Sequence, residues 1–204
     1  IAIGTDKFLL IYFEGQLYDI TPLKATISSA TIATTDASPI CEITTGSNHN
    51  LSAGYIVLLD NVTLPGGTGY VDADFEDKLF QVTSITSDTV FNITQSTAAT
   101  ATVATGGSID VKPYEQVGPA AQSYGYGWGI DTWGSGAWGE AASASDVSLE
   151  PGLWSLSNFG QVLVATIANG KTFTWNAGAT TPLTVRASTS TADFSTSNNP
   201  TASR

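Results

Sequence analysis

The segment that most constrains the fold is residues 161–177, QVLVATIANGKTFTWNA, in which two apolar runs flank Asn169-Gly170. Asn-Gly is a preferred pair for a type I′ turn, because both central residues of that turn take positive φ. In the first run the valines point one way, while the leucine, alanine and isoleucine point the other. In the second run Phe173 and Trp175 share a face. The pattern predicts a β-hairpin with one strongly apolar side.

Residues 7–20, KFLLIYFEGQLYDI, have the same design, with Glu14-Gly15 as the turn. The run FLLIYF is apolar on both faces, so we expect this strand to be covered on both sides. Pro22 then ends the pairing, because proline cannot donate to a sheet ladder. Repeated hairpins of one design are typical of β-propellers, so the two hairpins predict propeller blades.

Between the hairpins, residues 25–112 are rich in Thr, Ser and Ala and contain short apolar alternations separated by turn residues. We predict a hairpin turn at Ser87-Asp88 and a small β-barrel or sandwich, inserted after the first hairpin. No stretch has a helical period over more than two turns. The predicted strands of this insert lie near residues 26–33, 39–45, 55–61, 78–86, 89–95 and 108–113.

The predicted fold class is therefore all-β, a partial β-propeller with an inserted small β-barrel or sandwich domain. Residues 1–24 would form the first blade hairpin, and 25–112 the inserted domain. Residues 113–150 would be a Trp/Gly-rich connecting segment. Residues 151–204 would form the second blade hairpin and a polar connector. The chain has no methionine and begins at Ile1, so we expect it to continue a longer parent chain.

The charge balance excludes one large class of function. The chain has 18 acidic and 7 basic residues, a net charge of −11, and its Lys and Arg residues are scattered. Tight nucleic-acid binding needs clustered basic residues, so it is rejected as the main function. The longest apolar run is too short to span a bilayer, so no membrane partner is expected. The single cysteine, Cys41, allows no disulfide within the chain, and we expect a small buried hydrophobe in a strand.

The sequence favours no catalytic site and no cofactor. His49 is the only histidine, and Ser47, Ser52 and Asp60 are near it in sequence, but no nucleophile motif accompanies them. We interpret His49 as a turn residue before a strand, and a histidine metal site is equally unsupported.

An acidic run, VDADFEDK at 71–78, is a weak calcium candidate through Asp72, Asp74, Glu76 and Asp77. Its D-x-D spacing resembles that of calcium loops, but the glycine and glutamate of the full loop pattern are missing. The favoured interpretation is a solvated acidic loop, with no metal. A glycosidase pair of carboxylates would need separate strands and a cleft, which makes an enzyme the least favoured class.

Three tryptophans lie in YGYGWGIDTWGSGAWG, residues 124–139, each followed by glycine. Such a segment could be an exposed platform for sugar rings or an apolar contact. Each tryptophan removes about 150–250 Å² from water when buried, and together they exceed the apolar patch that a monomer normally exposes. We therefore predict packing or interface roles, with a carbohydrate-binding or adhesin-like module as the alternative. The candidate residues are Tyr124, Tyr126, Trp128, Trp133, Trp138, Trp154 and Trp175.

The order of these segments resembles the tail hub or nozzle proteins of short-tailed double-stranded DNA bacteriophages. The resemblance lies in YDITP at 18–22, the WG-rich run at 124–139, and LWSLSNFG at 153–160 followed by the NGK hairpin, and it extends over almost the whole chain. It implies a structural virion protein of the phage tail, without catalytic residues.

The resemblance also implies partners. They are further copies in a ring, expected to be a hexamer, the portal or adaptor above, and tail fibre or tip proteins below. Such a ring retains the packaged genome and lets double-stranded DNA pass non-specifically. A channel lined with negative charge would not grip the phosphate backbone, which offers a use for the acidic balance.

Overall fold

The computed structural model describes residues 1–118, 152–168, 170–178 and 186–189. Within these ranges the chain forms β-strands and one short 3-10 turn, Asp72–Asp74, so the predicted all-β class is confirmed. No helix in the same ranges is long and apolar enough to cross a membrane. The strands are β1 (Ala2–Gly4), β2 (Leu9–Phe13), β3 (Gln16–Asp19), β4 (Ile27–Thr34), β5 (Ile40–Thr44), β6 (Ile56–Thr63), β7 (Lys78–Ser87), β8 (Val90–Thr94), β9 (Val103–Pro113), β10 (Trp154–Phe159), β11 (Val162–Ile167), β12 (Thr172–Asn176) and β13 (Ser188–Thr189).

The chain divides into two compact units. One combines Ile1–Pro22 with the described residues from Val117 onward, and the other is Leu23–Gln116. The sequence-based boundaries for the inserted domain were 25 and 112. We call the first the two-sheet unit and the second the barrel unit.

The barrel unit is a closed, antiparallel six-stranded barrel in the order β4-β5-β8-β7-β6-β9. Each of its six strands coincides with a predicted one to within a few residues, except that β9 begins earlier. The turn between β7 and β8 is Asp88-Thr89, one residue later than predicted. Apolar side chains from all six strands, together with Phe75 after the 3-10 turn, fill the interior, since closure leaves no other place for the apolar face. Fully buried members include Ile32, Ile43, Leu59, Phe75, Phe91, Ile93, Ile109 and Val111.

In the two-sheet unit the first sheet is a three-stranded meander, β1-β2-β3. The predicted turn has φ 48° at Glu14 and 85° at Gly15, both positive as a type I′ turn requires. The expectation that FLLIYF is covered on both sides is wrong. Leu9 and Ile11 are buried and Leu10 is half-buried, but Tyr12 is 42% and Phe13 48% exposed, because the last two residues of β2 lie outside the core, next to the turn.

The second sheet is a four-stranded meander, β10-β11-β12-β13. The predicted facing of the hairpin is confirmed, since Leu163 pairs with Trp175 and all three inward residues of β11 are buried. The loop between β11 and β12 is longer than a two-residue turn, because Thr166 pairs with Thr172. Asn169 lies outside the described residues.

The two sheets pack face to face on one apolar core. Residues from the start of the chain, such as Leu9 and Ile20, meet residues from its other end, such as Phe173. A four-stranded antiparallel meander is the unit of a propeller blade, but a closed propeller needs four or more blades. The described residues provide one such four-stranded sheet and one three-stranded sheet, so the closed propeller stays a prediction.

Candidate functional site

The YDITP segment fixes the end of β3 to β13. The Asp19 carboxylate accepts hydrogen bonds from the Thr21 N–H (2.9 Å) and the Thr21 hydroxyl (2.6 Å), and it pairs with Arg186 at 2.8 Å. Thr21 Oγ1 accepts the N–H of fully buried Leu9 at 2.9 Å. The Arg186 guanidinium also donates to the Thr21 carbonyl at 3.0 Å. The segment is a structural fastening, which explains why Asp and Thr occur two residues apart.

A groove of about 490 Å³ opens in the two-sheet unit where the two sheets diverge. Its walls are apolar and partly aromatic, and its rim carries two carboxamides, those of Asn158 and Gln161. Its lining side chains are uncharged, but Ile1 brings the N-terminal ammonium, which donates to the Tyr12 carbonyl at 2.9 Å. The aromatic lining residues are Tyr12, Phe13 and Trp175.

Asn158 lies on the inward face of β10, directly opposite Leu163. Its neighbours on this face are the half-buried Trp154 and Leu156, which is 37% exposed, and Asn158 itself is exposed. Among the described residues its carboxamide has no hydrogen-bond partner. The sequence analysis did not select Asn158, although its inward place in the alternation WSLSNF is a usable signal once the strand is recognised.

The predicted aromatic residues fall into two groups. Trp175 is buried at 8% exposure and Trp154 is half-buried, and both belong to the core between the two sheets. The Trp154 indole N–H donates to the Thr5 carbonyl at 3.0 Å. Tyr124, Tyr126, Trp128, Trp133 and Trp138 lie outside the described residues, so their predicted packing role stays a prediction.

Carboxylates of the acidic run 71–78 accept backbone amides from the run itself and from the end of β6. Asp72 accepts the Leu64 N–H at 2.8 Å, and Asp74 accepts the Val71 N–H at 2.9 Å. The Glu76 carboxylate accepts the N–H of Val62 at 2.7 Å. Through these bonds the carboxylates, instead of water, satisfy backbone N–H groups that make no hydrogen bond to a neighbouring barrel strand.

The structure brings together only two of the four weak calcium candidates. Carboxylate oxygens of Glu76 and Asp77 come together with Asp60 within 4.8 Å, whereas Asp72 and Asp74 are not in this group. The Lys112 ammonium forms an ion pair with Asp60 and supplies positive charge there. Hydrogen bonds from Lys112 and then from the Asn61 N–H hold the pKa of Asp60 below its usual range. The single ammonium of Lys112 compensates this cluster of three carboxylates only in part.

Asp110, on β9, lies in the same region of the barrel as Asp60. The Asn61 carboxamide donates to it at 2.8 Å, and the Ser29 N–H donates at 3.2 Å. The Asn61 hydrogen bond is the largest cause that holds the pKa of Asp110 below its usual range. Asn61 itself has a φ of 50°, within an irregularity of the β6–β9 pairing.

His49 is buried in the loop before β6, where both ring nitrogens have backbone partners. Nδ1 accepts the Leu51 N–H at 2.9 Å, so Nε2 carries the proton and donates to the Ser87 carbonyl at 3.0 Å. The ring also meets Phe91 edge-on, with centroids 5.4 Å apart. An imidazole held in this way has no nitrogen available for a substrate or a metal.

Cys41 is fully buried on β5, as the sequence predicted. Burial raises the pKa of its thiol to about 11, so it is a poor nucleophile. Burial is also the largest cause that raises the pKa of nearby Tyr70 to about 12. The Tyr70 hydroxyl donates to the Thr97 carbonyl at 2.7 Å. Both groups act as packing residues of the barrel.

No protein-family model and no curated protein matches the chain. Among solved structures, the chain is similar to "Phage phi92 endosialidase" with 12% identity and a TM-score of 0.36. The similarity covers 92% of this chain and 36% of that chain, so the chain spans about a third of that protein. At this TM-score the likeness carries no argument about fold or function.

Proposed function

We propose that the chain is a structural virion protein of a phage tail, of the nozzle or hub type, that forms part of the DNA conduit below the portal or adaptor. The observation that carries the proposal is that the barrel unit interrupts the sequence of the two-sheet unit. The two segments that resemble nozzle proteins most, around YDITP and around LWSLSNFG, pair in one two-sheet core although the barrel unit separates them in sequence.

The chemistry of the described residues supports a role in assembly. The single histidine is held by two backbone groups, and the thiol of Cys41 is buried. Glu76 and Asp72 of the acidic run accept backbone amides, and Asp60 pairs with Lys112. These groups stabilise the fold, which leaves contacts between surfaces as the main activity of the chain.

The net charge of −11 suits a conduit. A wall with few basic residues would repel the phosphate backbone and allow double-stranded DNA to slide. If acidic residues such as Asp72 and Asp77 line the channel, their substitution with asparagine should slow DNA release. If these residues face away from the channel, this use of the charge is wrong.

Native mass spectrometry of the purified full-length protein, alone and with the adaptor ring, tests the assembly. We expect a closed ring of identical copies, with a hexamer as the expected number, that binds the adaptor. A monomer that does not bind the adaptor would contradict the proposal.

A further inference from the structure

We infer that protonation of His49 opens the loop between β5 and β6, so that mild acid exposes apolar residues at one end of the barrel unit. The loop, residues 45–55, contains the only histidine of the chain. Histidine is the side chain whose ordinary protonation falls between about pH 5 and 8. This inference concerns the barrel unit alone and does not depend on the proposed structural role in the tail.

The neutral ring of His49 fastens the loop to the turn between β7 and β8. Its Nε2 donates to the Ser87 carbonyl at 3.0 Å, and the backbone N–H of His49 donates to the Asp88 carbonyl at 2.9 Å. Nδ1 accepts the Leu51 N–H at 2.9 Å, which is the bond to the second residue onward that asparagine makes in an Asx turn. The residue is only 6% exposed, so little water reaches these groups.

A second proton on the ring conflicts with this arrangement. It would bind Nδ1, which faces the Leu51 N–H, so two donors would point at each other and a buried amide would lose its acceptor. The positive charge would also be buried without an anionic partner. The Phe91 ring, with centroids 5.4 Å apart, can attract a cation, but this does not relieve the contact between the two N–H donors.

The charged neighbours of the ring do not remove this conflict. The titratable residues on the elements around it are Asp88 in the turn, Glu42 on β5, Lys78 on β7 and Tyr55 at the end of the loop. Within the described part of the chain, none of them has a hydrogen bond or an ion pair with the ring. Asp88 is exposed, so water screens its attraction for an imidazolium.

The expected opening is local and exposes apolar surface. Leu51 is 7% exposed and Phe91 is fully buried, and both belong to the barrel core. The Gly54 N–H donates to the Val82 carbonyl at 2.8 Å, which holds the end of the loop on β7. Because a free histidine binds its proton below about pH 6.5, the closed loop is stable above that pH. The open fraction should rise by up to about tenfold for each pH unit below it.

NMR of the isotope-labelled full-length chain, titrated from about pH 7.5 to about pH 5, tests the inference, since one histidine gives one set of ring signals. We expect the tautomer with the proton on Nε2 at the start. Hydrogen exchange of the Leu51 amide, corrected for its intrinsic dependence on pH, should rise by up to about tenfold per pH unit below pH 6.5. A ring that takes up a proton while this amide stays protected would overturn the inference, as would protection that does not change down to pH 5.

The variant His49→Asn keeps an acceptor for the Leu51 N–H and cannot be protonated in this range, so the response to acid should disappear. Adding Asn48→His to this variant moves the histidine to the adjacent exposed position and is the matched control. Its ring should titrate while the Leu51 amide stays protected. Equal acid responses of His49→Asn and the unaltered chain would contradict the inference. If His49→Asn does not fold, the titration of the unaltered chain decides alone.

Discussion

Gly4 of β1 lies directly beneath the indole ring of Trp154 in β10. A Cβ placed on Gly4 would stand 2.4 Å from Cδ2 of Trp154, far inside van der Waals contact. The contact joins the first strand of the chain to a strand that follows 150 residues later. It therefore couples the two sheets across the whole inserted barrel.

Gly4→Ala should destabilise the two-sheet unit by about 1–3 kcal/mol, because the indole must move and loses its hydrogen bond to the Thr5 carbonyl. Tryptophan fluorescence during urea unfolding reports on this unit, since residues 23–116 contain no tryptophan. In a double-mutant cycle, Trp154→Leu should relieve most of the cost of Gly4→Ala. Additive effects of the two changes would contradict the contact. Gly46→Ala, with no atom near its added Cβ, is the control and should be close to neutral.

Thr21→Val should destabilise the two-sheet unit by about 1–3 kcal/mol, because the N–H of buried Leu9 loses its acceptor. The substitution keeps the volume and removes only the hydroxyl. Thr21→Ser keeps the hydroxyl and should recover most of the stability. Equal stability of the valine and serine variants, measured by chemical denaturation, would show that this hydrogen bond is unimportant.

The barrel unit should lose stability in alkali through Cys41. Its folded pKa is about 11 against an ordinary 9.0, so the folded state keeps a proton that the unfolded state loses. Stability from this group is complete below pH 9 and falls as the pH rises towards 11, by about 2–3 kcal/mol at most. Urea unfolding of Cys41→Ala, followed by circular dichroism, should show a weaker dependence on pH in that window.

Tyr70→Phe provides the matched comparison for the alkaline prediction. The pKa of Tyr70 is raised to about 12, so this variant should change the pH dependence mainly above pH 10. Because it also removes a hydrogen bond that lowers the pKa of the Cys41 thiol, the cysteine effect should persist and increase slightly. An unchanged profile between pH 9 and 11 in Cys41→Ala would contradict the prediction.

Acid should lower the stability of the barrel unit through Asp60. The pKa of Asp60 is lowered in the folded state, so the unfolded state binds its proton first as the pH falls. The stability that Asp60 contributes is present above its ordinary value of 3.8 and is lost as the pH falls through the folded pKa. Asp60→Asn should flatten the acid side of the stability profile.

Lys112→Met isolates the cause of that acid effect, because it removes the ammonium that contributes most to the shift. Carbon-detected NMR titration should then place the Asp60 carboxyl closer to its ordinary pKa. An unchanged titration of Asp60 in this variant would assign the shift to the Asn61 amide instead.

The barrel strands were predictable because each alternates apolar and polar residues between turn signals, as ICEIT and VFNIT do at β5 and β8. Three strands of the two-sheet unit were missed, namely β1, β10 and the two-residue β13. β1 has three residues, which are too few to show a period. β10 (WSLSNF) is rich in Ser and Asn, and its apolar residues Leu156 and Phe159 are 37% and 83% exposed. These strands depend on tertiary partners, which a local pattern does not reveal.

The groove was not predictable for the same reason. Its lining comes from β1, β2, β10, β11 and β12, so residues at both ends of the sequence must be brought together first. Gly160, with a φ of 62°, forms the turn between β10 and β11. This turn brings Phe159 opposite Val162 and so fixes the register of Asn158. The Gly-Gln pair fits a type II′ turn, in which glycine takes the first central position. That glycine was the available signal for the extra strand.

Cryo-electron microscopy of the intact phage particle tests the central claim most directly. The account predicts that density for the six-stranded barrel and its two-sheet neighbour recurs symmetrically around the DNA channel, immediately below the portal and adaptor. A tail in which this chain is absent, or is attached only as a peripheral fibre component away from the channel, would contradict it.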